Sequence, residues 1–227
     1  MKTYSMLLFL MLSSVKMYSQ DFSVSLGTDI PYQHYVGLHL HSEKFEGYYR
    51  FGILTSPYSD YILRISKELG VSETYIEMIE KAYDFGYMNA IGVAYKFGKN
   101  RGWYIGPEFR LDFLTAGDTP VSLVEQVTGV SLQTPSQLQE KVSATLGMKT
   151  IALGLRAGYS FSISRNKKHR IRTEISVAKH SSLHTLLKIQ NRENDALNTK
   201  LNNVFWKEIF RDYGYLGGLG FAYEYRF

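Results

Sequence analysis

Cysteine is absent from the 227 residues of the chain. That excludes a disulfide framework, a thiolate metal site and a lipid-modified cysteine anchor. Proline is scarce, at five residues, and beyond the first dozen residues no long apolar run occurs. No helix is therefore expected to span a bilayer, so any membrane residence must be as strands. Clustered charge is missing too. The formal balance is +5, but Lys and Arg are spread along the chain, and two of them, Lys2 and Lys16, lie in a segment expected to be removed. No nucleic acid is expected as a partner. What the chain has in quantity is aromatic residues, with 18 Tyr and 13 Phe. Its length suits one domain of ordinary size, or one barrel.

Met1–Ser19 reads as a signal peptide. Lys2 supplies the positive start, 6–12 (MLLFLML) the short apolar core, and Ser19-Gln20 the cleavage point, although Met17 and Tyr18 are larger than usual there. Residues 20–227 are then one exported barrel domain.

The last fourteen residues, GYLGGLGFAYEYRF, set the pattern. Side chains alternate faces along a strand. Tyr215, Gly217, Leu219, Phe221, Tyr223, Tyr225 and Phe227 share one face, and Leu216, Gly218, Gly220, Ala222, Glu224 and Arg226 the other. The same alternation predicts strands from Phe22, over about 35–42, 46–56, 87–97, 103–115, 149–164 and 170–181. Between them, 59–83 and 119–145 carry apolar residues at helical spacing, each broken in two around Gly70 or around Gly129 and Pro135. The stretch 182–212 is predicted partly helical, around 183–189 and 197–209. Thr28-Asp29-Ile30-Pro31 reads as a break after the first strand, and Pro107 as a bulge or edge position.

That makes eight strands, with short turns after the second, fourth and sixth, and longer or broken segments after the first, third, fifth and seventh. The expected fold is all-β: an eight-stranded antiparallel up-and-down transmembrane β-barrel with helical loop insertions. The large residues should face lipid and the charges the lumen. A soluble lipocalin-like barrel would require the reverse.

The inverted alternation, the signal segment and the terminal Tyr225-Arg226-Phe227 resemble the small outer-membrane β-barrels of the OmpA/OmpX-like type. The resemblance is architectural and covers nearly all of the mature chain, which departs from the type in its helical inserts. It implies a Gram-negative-type outer membrane, reached after cleavage near Ser19, and contact with outer-membrane lipid. It also implies that the barrel-assembly machinery reads Phe227.

The inward set expected from parity is Arg50, Lys96, Glu108, Arg110, Asp112, Arg156, Arg172, Glu174, Glu224 and Arg226, with Tyr48 and Tyr104. An eight-stranded barrel is just wide enough for side chains to fill it. Both signs are present, so a salt-bridge network is expected, since an isolated buried ion is expensive. A sharper alternative makes Glu108 and Asp112, beside an Arg, a catalytic carboxylate pair. His39 and His41 have a spacing that can hold a metal, but no third ligand is identifiable. His180, Ser181, Ser182 and His184 are the ingredients of a Ser–His hydrolase in a lipid-modifying barrel. The insert 65–81 looks like a helix-turn-helix, yet Glu73, Glu77 and Glu80 face Lys81 alone, which excludes a DNA-reading helix. Its apolar stripes suit a cap over the barrel mouth or a surface for a partner or ligand. Tyr35, Tyr87, Trp103 and Tyr215 are expected in interfacial belts. No cofactor, metal site or catalytic residue is assigned. The expected role is structural or interactive through the loop helices; the alternatives are a lipid-modifying enzyme or a narrow channel.

Overall fold

Alternating sequence becomes alternating burial in the computed structural model, which describes residues 21–55, 58–68, 70–73, 76, 80, 85–98, 101–130, 143–189, 192–193, 195–207, 211 and 214–227. The strands are β1 (Asp21–Ile30), β2 (Gln33–His41), β3 (Phe45–Leu54), β4 (Phe85–Phe97), β5 (Trp103–Pro120), β6 (Ser143–Ser162), β7 (His169–Ile189), β8 (Arg192–Glu193) and β9 (Tyr215–Arg226). Helices α1 (Tyr58–Glu68), α2 (Val121–Thr128) and α3 (Asp195–Phe205) lie between them.

Each strand from β1 to β7 pairs antiparallel with the next, and β9 pairs with both β7 and β1, closing a ring of eight. The two-residue β8 pairs with the far end of β7, outside the ring. Closure leaves no open edge, which a chain in hydrocarbon requires. The turns at 42–44 and 163–168, the end of β4 and the start of β5 share one rim with residues 21 and 227; the turn Pro31-Tyr32, the end of β3 and the start of β4 share the other.

Polarity is inside out. Leu26, Leu153 and Ile175 are 67%, 58% and 60% exposed, while Arg50 and Glu224 are fully buried. Outward residues of β4 run apolar or aromatic from Phe85 to Phe97, apart from Asn89. Thirteen tilted residues rise about 30 Å along the barrel axis, the thickness of a hydrocarbon core. Aromatic pairs ring both ends. Phe22 stacks on Phe227 at 5.5 Å and Trp103 meets Tyr159 at 4.9 Å near the short turns, while Tyr87 stacks on Phe113 at 4.8 Å near the long loops. Tyr35 is not in a belt: β2 parity turns it into the lumen, where it is buried.

Four other expectations are corrected. The break at Thr28–Pro31 shrinks to the turn Pro31-Tyr32, because Thr28 and Asp29 still pair with His34 and Gln33. The helical insert 119–145 is strand at both ends, with β5 running to Pro120 and β6 starting at Ser143. Residues 183–189 are strand, not helix, and extend β7. Pro107 sits mid-strand, interrupting pairing with β4 at Val93 and Ala94 without shifting register. The second halves of the first two inserts lie largely outside the described residues.

Inside the barrel, two glycines make room for rings. A Cβ at Gly158 would sit 2.5 Å from the Tyr104 hydroxyl, and one at Gly92 would collide with the Tyr48 ring.

Candidate functional site

Four buried guanidiniums, Arg50, Arg110, Arg156 and Arg172, run along the lumen against six buried carboxylates, Asp29, Glu46, Glu108, Asp112, Glu174 and Glu224. All stand on inward-facing strand positions, so parity alone aims them at one another. Arg156 on β6 is the hub. Its Nε donates to Glu108 Oε2 at 2.6 Å, its Nη1 to Glu174 Oε2 at 2.8 Å, and Nη1 and Nη2 both reach Asp29 at 3.0 Å. One planar fork thereby ties β1, β5, β6 and β7 across the interior, a geometry that suits Arg and not Lys.

Arg50 makes a two-pronged pair with Glu174, 2.6 Å on each arm, and its guanidinium lies 4.6 and 4.9 Å from the rings of Tyr35 and Tyr48. Arg110 donates to Glu108 at 2.6 Å and to the Ser176 hydroxyl at 3.0 Å. The Tyr48 hydroxyl donates to Glu108 at 3.0 Å, and the Tyr104 hydroxyl donates to Glu174. Nearer the short turns, Arg172 lies over the Tyr104 ring at 4.4 Å and meets Glu46 at 2.7 Å and Glu224 at 3.1 Å. His41 Nε2 is 3.0 Å from Glu224, His39 Nδ1 is 2.9 Å from Glu46, and the hydroxyls of Ser23 and Ser25 contact the two imidazoles. Both histidines are thus occupied by serines and carboxylates, and among the described residues no group of three metal-ligating side chains has the geometry to hold an ion.

The ten residues predicted from parity divide. Arg50, Glu108, Arg110, Arg156, Arg172, Glu174 and Glu224 meet in the contacts above. Lys96 and Arg226 lie at the short-turn mouth, where Lys96 Nζ donates to the Ser42 carbonyl at 2.5 Å and Arg226 is 3.7 Å from Asp21. Asp112 stands apart: Thr150 donates to its Oδ2 at 3.3 Å, and its buried Oδ1 has no hydrogen-bond partner. Arg110 turns from it toward Glu108, so Glu108 and Asp112 do not form a free carboxylate pair. The Ser–His ingredients do not converge either. His180 is buried on the lumen side, while Ser181, Ser182 and His184 are exposed. Also lumenal, beyond the ten, are Asp29, which reads as part of a turn, and Glu46, Ser23 and Ser25, which strand parity places on the inward face.

At the long-loop end the lumen closes with an apolar cluster. Tyr32, Leu54 and Met88 are joined by Tyr58 of α1, and Ile62 and Leu114 pack against them. Beyond it, β5, β6 and β7 continue past the ring. Pairing of β7 with β9 stops at Lys179, and β7 runs ten residues further with β6 on one side and, on the other, strand β8 only at Lys188 and Ile189. α3 covers the other side. Asn198 Oδ1 accepts from Leu187 N at 2.6 Å, and Asn202 Oδ1 accepts from Thr185 N at 2.6 Å. These side-chain amides stand where a neighbouring strand would have put its carbonyls. Val124 of α2, Leu146, Leu187, Leu197 and Leu201 are buried in this plate.

No protein-family model matches the chain, and no curated protein matches it. Solved structures do. A major outer membrane protein from Thermus thermophilus matches with 11% identity and a TM-score of 0.44, covering 92% of this chain and 100% of that one. The N-terminal β-barrel domain of Pseudomonas aeruginosa OprF matches with 7% identity and a TM-score of 0.41, covering 92% and 96%. Acinetobacter baumannii CarO matches with 10% identity and a TM-score of 0.41, covering 91% and 97%. With identity this low, any function must come from the geometry of the chain itself.

Proposed function

We propose that the chain is an outer-membrane β-barrel whose lumen is an internal brace and not a pore, and whose loop-side plate is the surface that meets a partner. The observation that carries the reading is the filled axis: four buried arginines hold carboxylates from opposite walls, and an apolar cluster lies beyond them. Water in a conducting barrel needs a continuous path, and interlocked ion pairs occupy it. The apolar exterior suits outer-membrane lipid as surroundings. Phe227, stacked on Phe22 beside the closing seam, is where assembly machinery would read the end of the barrel. The plate of β5–β7 with α2 and α3 extends past the ring on the long-loop side, and partner contact is placed there.

In a planar bilayer the folded chain is expected to leave the baseline without unitary current steps. Stable steps whose size follows salt concentration would overturn the brace and restore the narrow channel.

A further inference from the structure

Between the ion network and the short turns the lumen opens into a cavity of about 560 Å³. We propose that this mouth is a binding site for a phosphate group, either free or carried on a lipid headgroup. Six Lys and Arg side chains line it against four carboxylates. The two carboxylates at its floor are already engaged: Arg172 lies 2.7 Å from Glu46 and 3.1 Å from Glu224, and the Ser23 hydroxyl donates to Glu224 at 2.7 Å. At the lip, Arg101 is held at 2.5 Å by Glu43, and that contact keeps the Glu43 carboxyl below its usual range.

The remaining cations have no carboxylate within hydrogen-bond distance. Lys96 donates to a backbone carbonyl, that of Ser42, at 2.5 Å. Arg170 spends Nε and Nη2 on the hydroxyl and carbonyl of Ser160, at 2.7 and 3.0 Å, both uncharged. Arg226 has Asp21 at a loose 3.7 Å, and its buried Nε has no hydrogen-bond partner. Lys96, Arg170 and Arg226 lie within electrostatic reach of one another and of Glu46 and Glu224, which Arg172 already holds, and Lys167 lines the same cavity from the turn at 163–168. Like charges gathered in a partly enclosed site are costly unless an anion joins them. A phosphate offers several acceptor oxygens and up to two charges, which matches donors converging from β4, β7 and β9. The cavity is large enough for a phosphate with an organic group attached. Its placement at the rim facing away from the long loops makes the ligand one of the inner side of the membrane, and that clause alone rests on the outer-membrane reading.

The test uses the full mature chain folded in alkyl maltoside micelles, with phosphorus NMR as readout. Inorganic phosphate is one probe and short-chain phosphatidic acid below its micellar concentration is the other. Saturable line broadening with inorganic phosphate supports a free ligand; saturation with phosphatidic acid alone supports a headgroup. Lys96→Gln combined with Arg170→Gln is expected to weaken binding about tenfold or more, as loss of two charge-assisted contacts requires. Lys167→Gly is the variant that preserves folding, because Lys167 has φ 58, a conformation glycine adopts freely; a loss of about threefold is expected. Arg64→Gln, on α1 at the opposite end, should change nothing. The proposal fails if neither probe saturates, or if Lys167→Gly and the double variant bind like wild type while keeping the heat-shifted gel mobility of a folded barrel.

Discussion

Arg156 is the side chain whose loss the barrel should feel most. It touches Asp29, Glu108 and Glu174. Once it is gone Glu108 keeps Arg110 and Glu174 keeps Arg50, but buried Asp29 is left with Gln33 at 3.2 Å and Arg50 at 3.9 Å. Stripping one partner from a buried pair costs about 3–5 kcal/mol, because the remaining charge is left uncompensated. Arg156→Met is expected to lower the unfolding free energy by that amount, read from urea titration by tryptophan fluorescence of the barrel folded in vesicles. Glu174→Gln should also destabilise, since Arg50, Arg156, Arg172 and Tyr104 all use that carboxylate. The two changes together should cost less than their sum, by about 0.5–3 kcal/mol, as expected of groups sharing one network. Strict additivity would show that the network is a drawing and not a coupling. Much of it was legible in parity: Arg50, Arg156 and Glu174 alternate with lipid-facing residues. Asp29 stands in Thr28-Asp29-Ile30-Pro31, which looks like a turn, yet counting on from Ser23, Ser25 and Gly27 lands on it. Glu46 was hidden likewise, at the edge of its strand. The partners of each charge were beyond parity, since they depend on strand stagger around the ring.

At the scale of elements, the loop-side plate is where the sequence misled. Residues 183–189 carry Leu183, Leu186 and Leu187 at helical spacing, but they are strand. The cause is a register shift in the β6–β7 pairing, where Ile151 pairs with Ser182 and Ala152 with His180. Ser181 is the extra residue, and an extra residue inverts parity downstream of it. Inward residues are even-numbered up to His180 and odd-numbered at Thr185 and Leu187, so an uninterrupted count of two fails. The helix expected around 197–209 is found at 195–205, and the sequence does not show its role: it supplies Asn198 and Asn202 to the edge of β7. Replacing both with Ala leaves two strand N–H groups without acceptors, at about 1–3 kcal/mol each when buried. The expected result is selective: amide exchange at Thr185 and Leu187 rises and α3 becomes open to protease, while β1–β4 stay protected. A uniform loss of protection around the ring would mean that α3 braces the barrel itself, and that plate and barrel are not separable units.

For the whole molecule, the decisive property is the direction in which polarity runs. A soluble barrel and a membrane barrel have the same ladder and the same alternation, and differ only in which set of side chains meets the surroundings. Here Ile175, Leu155 and Val93 are more than half exposed on the outer wall, while the arginines are enclosed. In water that surface would be a continuous apolar belt far larger than a monomer tolerates; in a bilayer it is solvated by lipid. Ile175 is a suitable probe because it lies between Ala157 of β6 and Leu219 of β9, away from both aromatic rims. Arginine there should cost about 2–4 kcal/mol of folding stability in vesicles, as for a cation near the bilayer midplane. The same change on the outer face of a water-soluble barrel would be close to neutral, or would raise solubility. Folding yield and urea midpoint in vesicles measure the cost, and flotation with lipid on a density gradient reads the address independently. A chain in which Ile175→Arg folds as well as wild type, and which stays behind with the soluble fraction, would have its large side chains facing water, and the brace, the plate and the phosphate site would all need another setting.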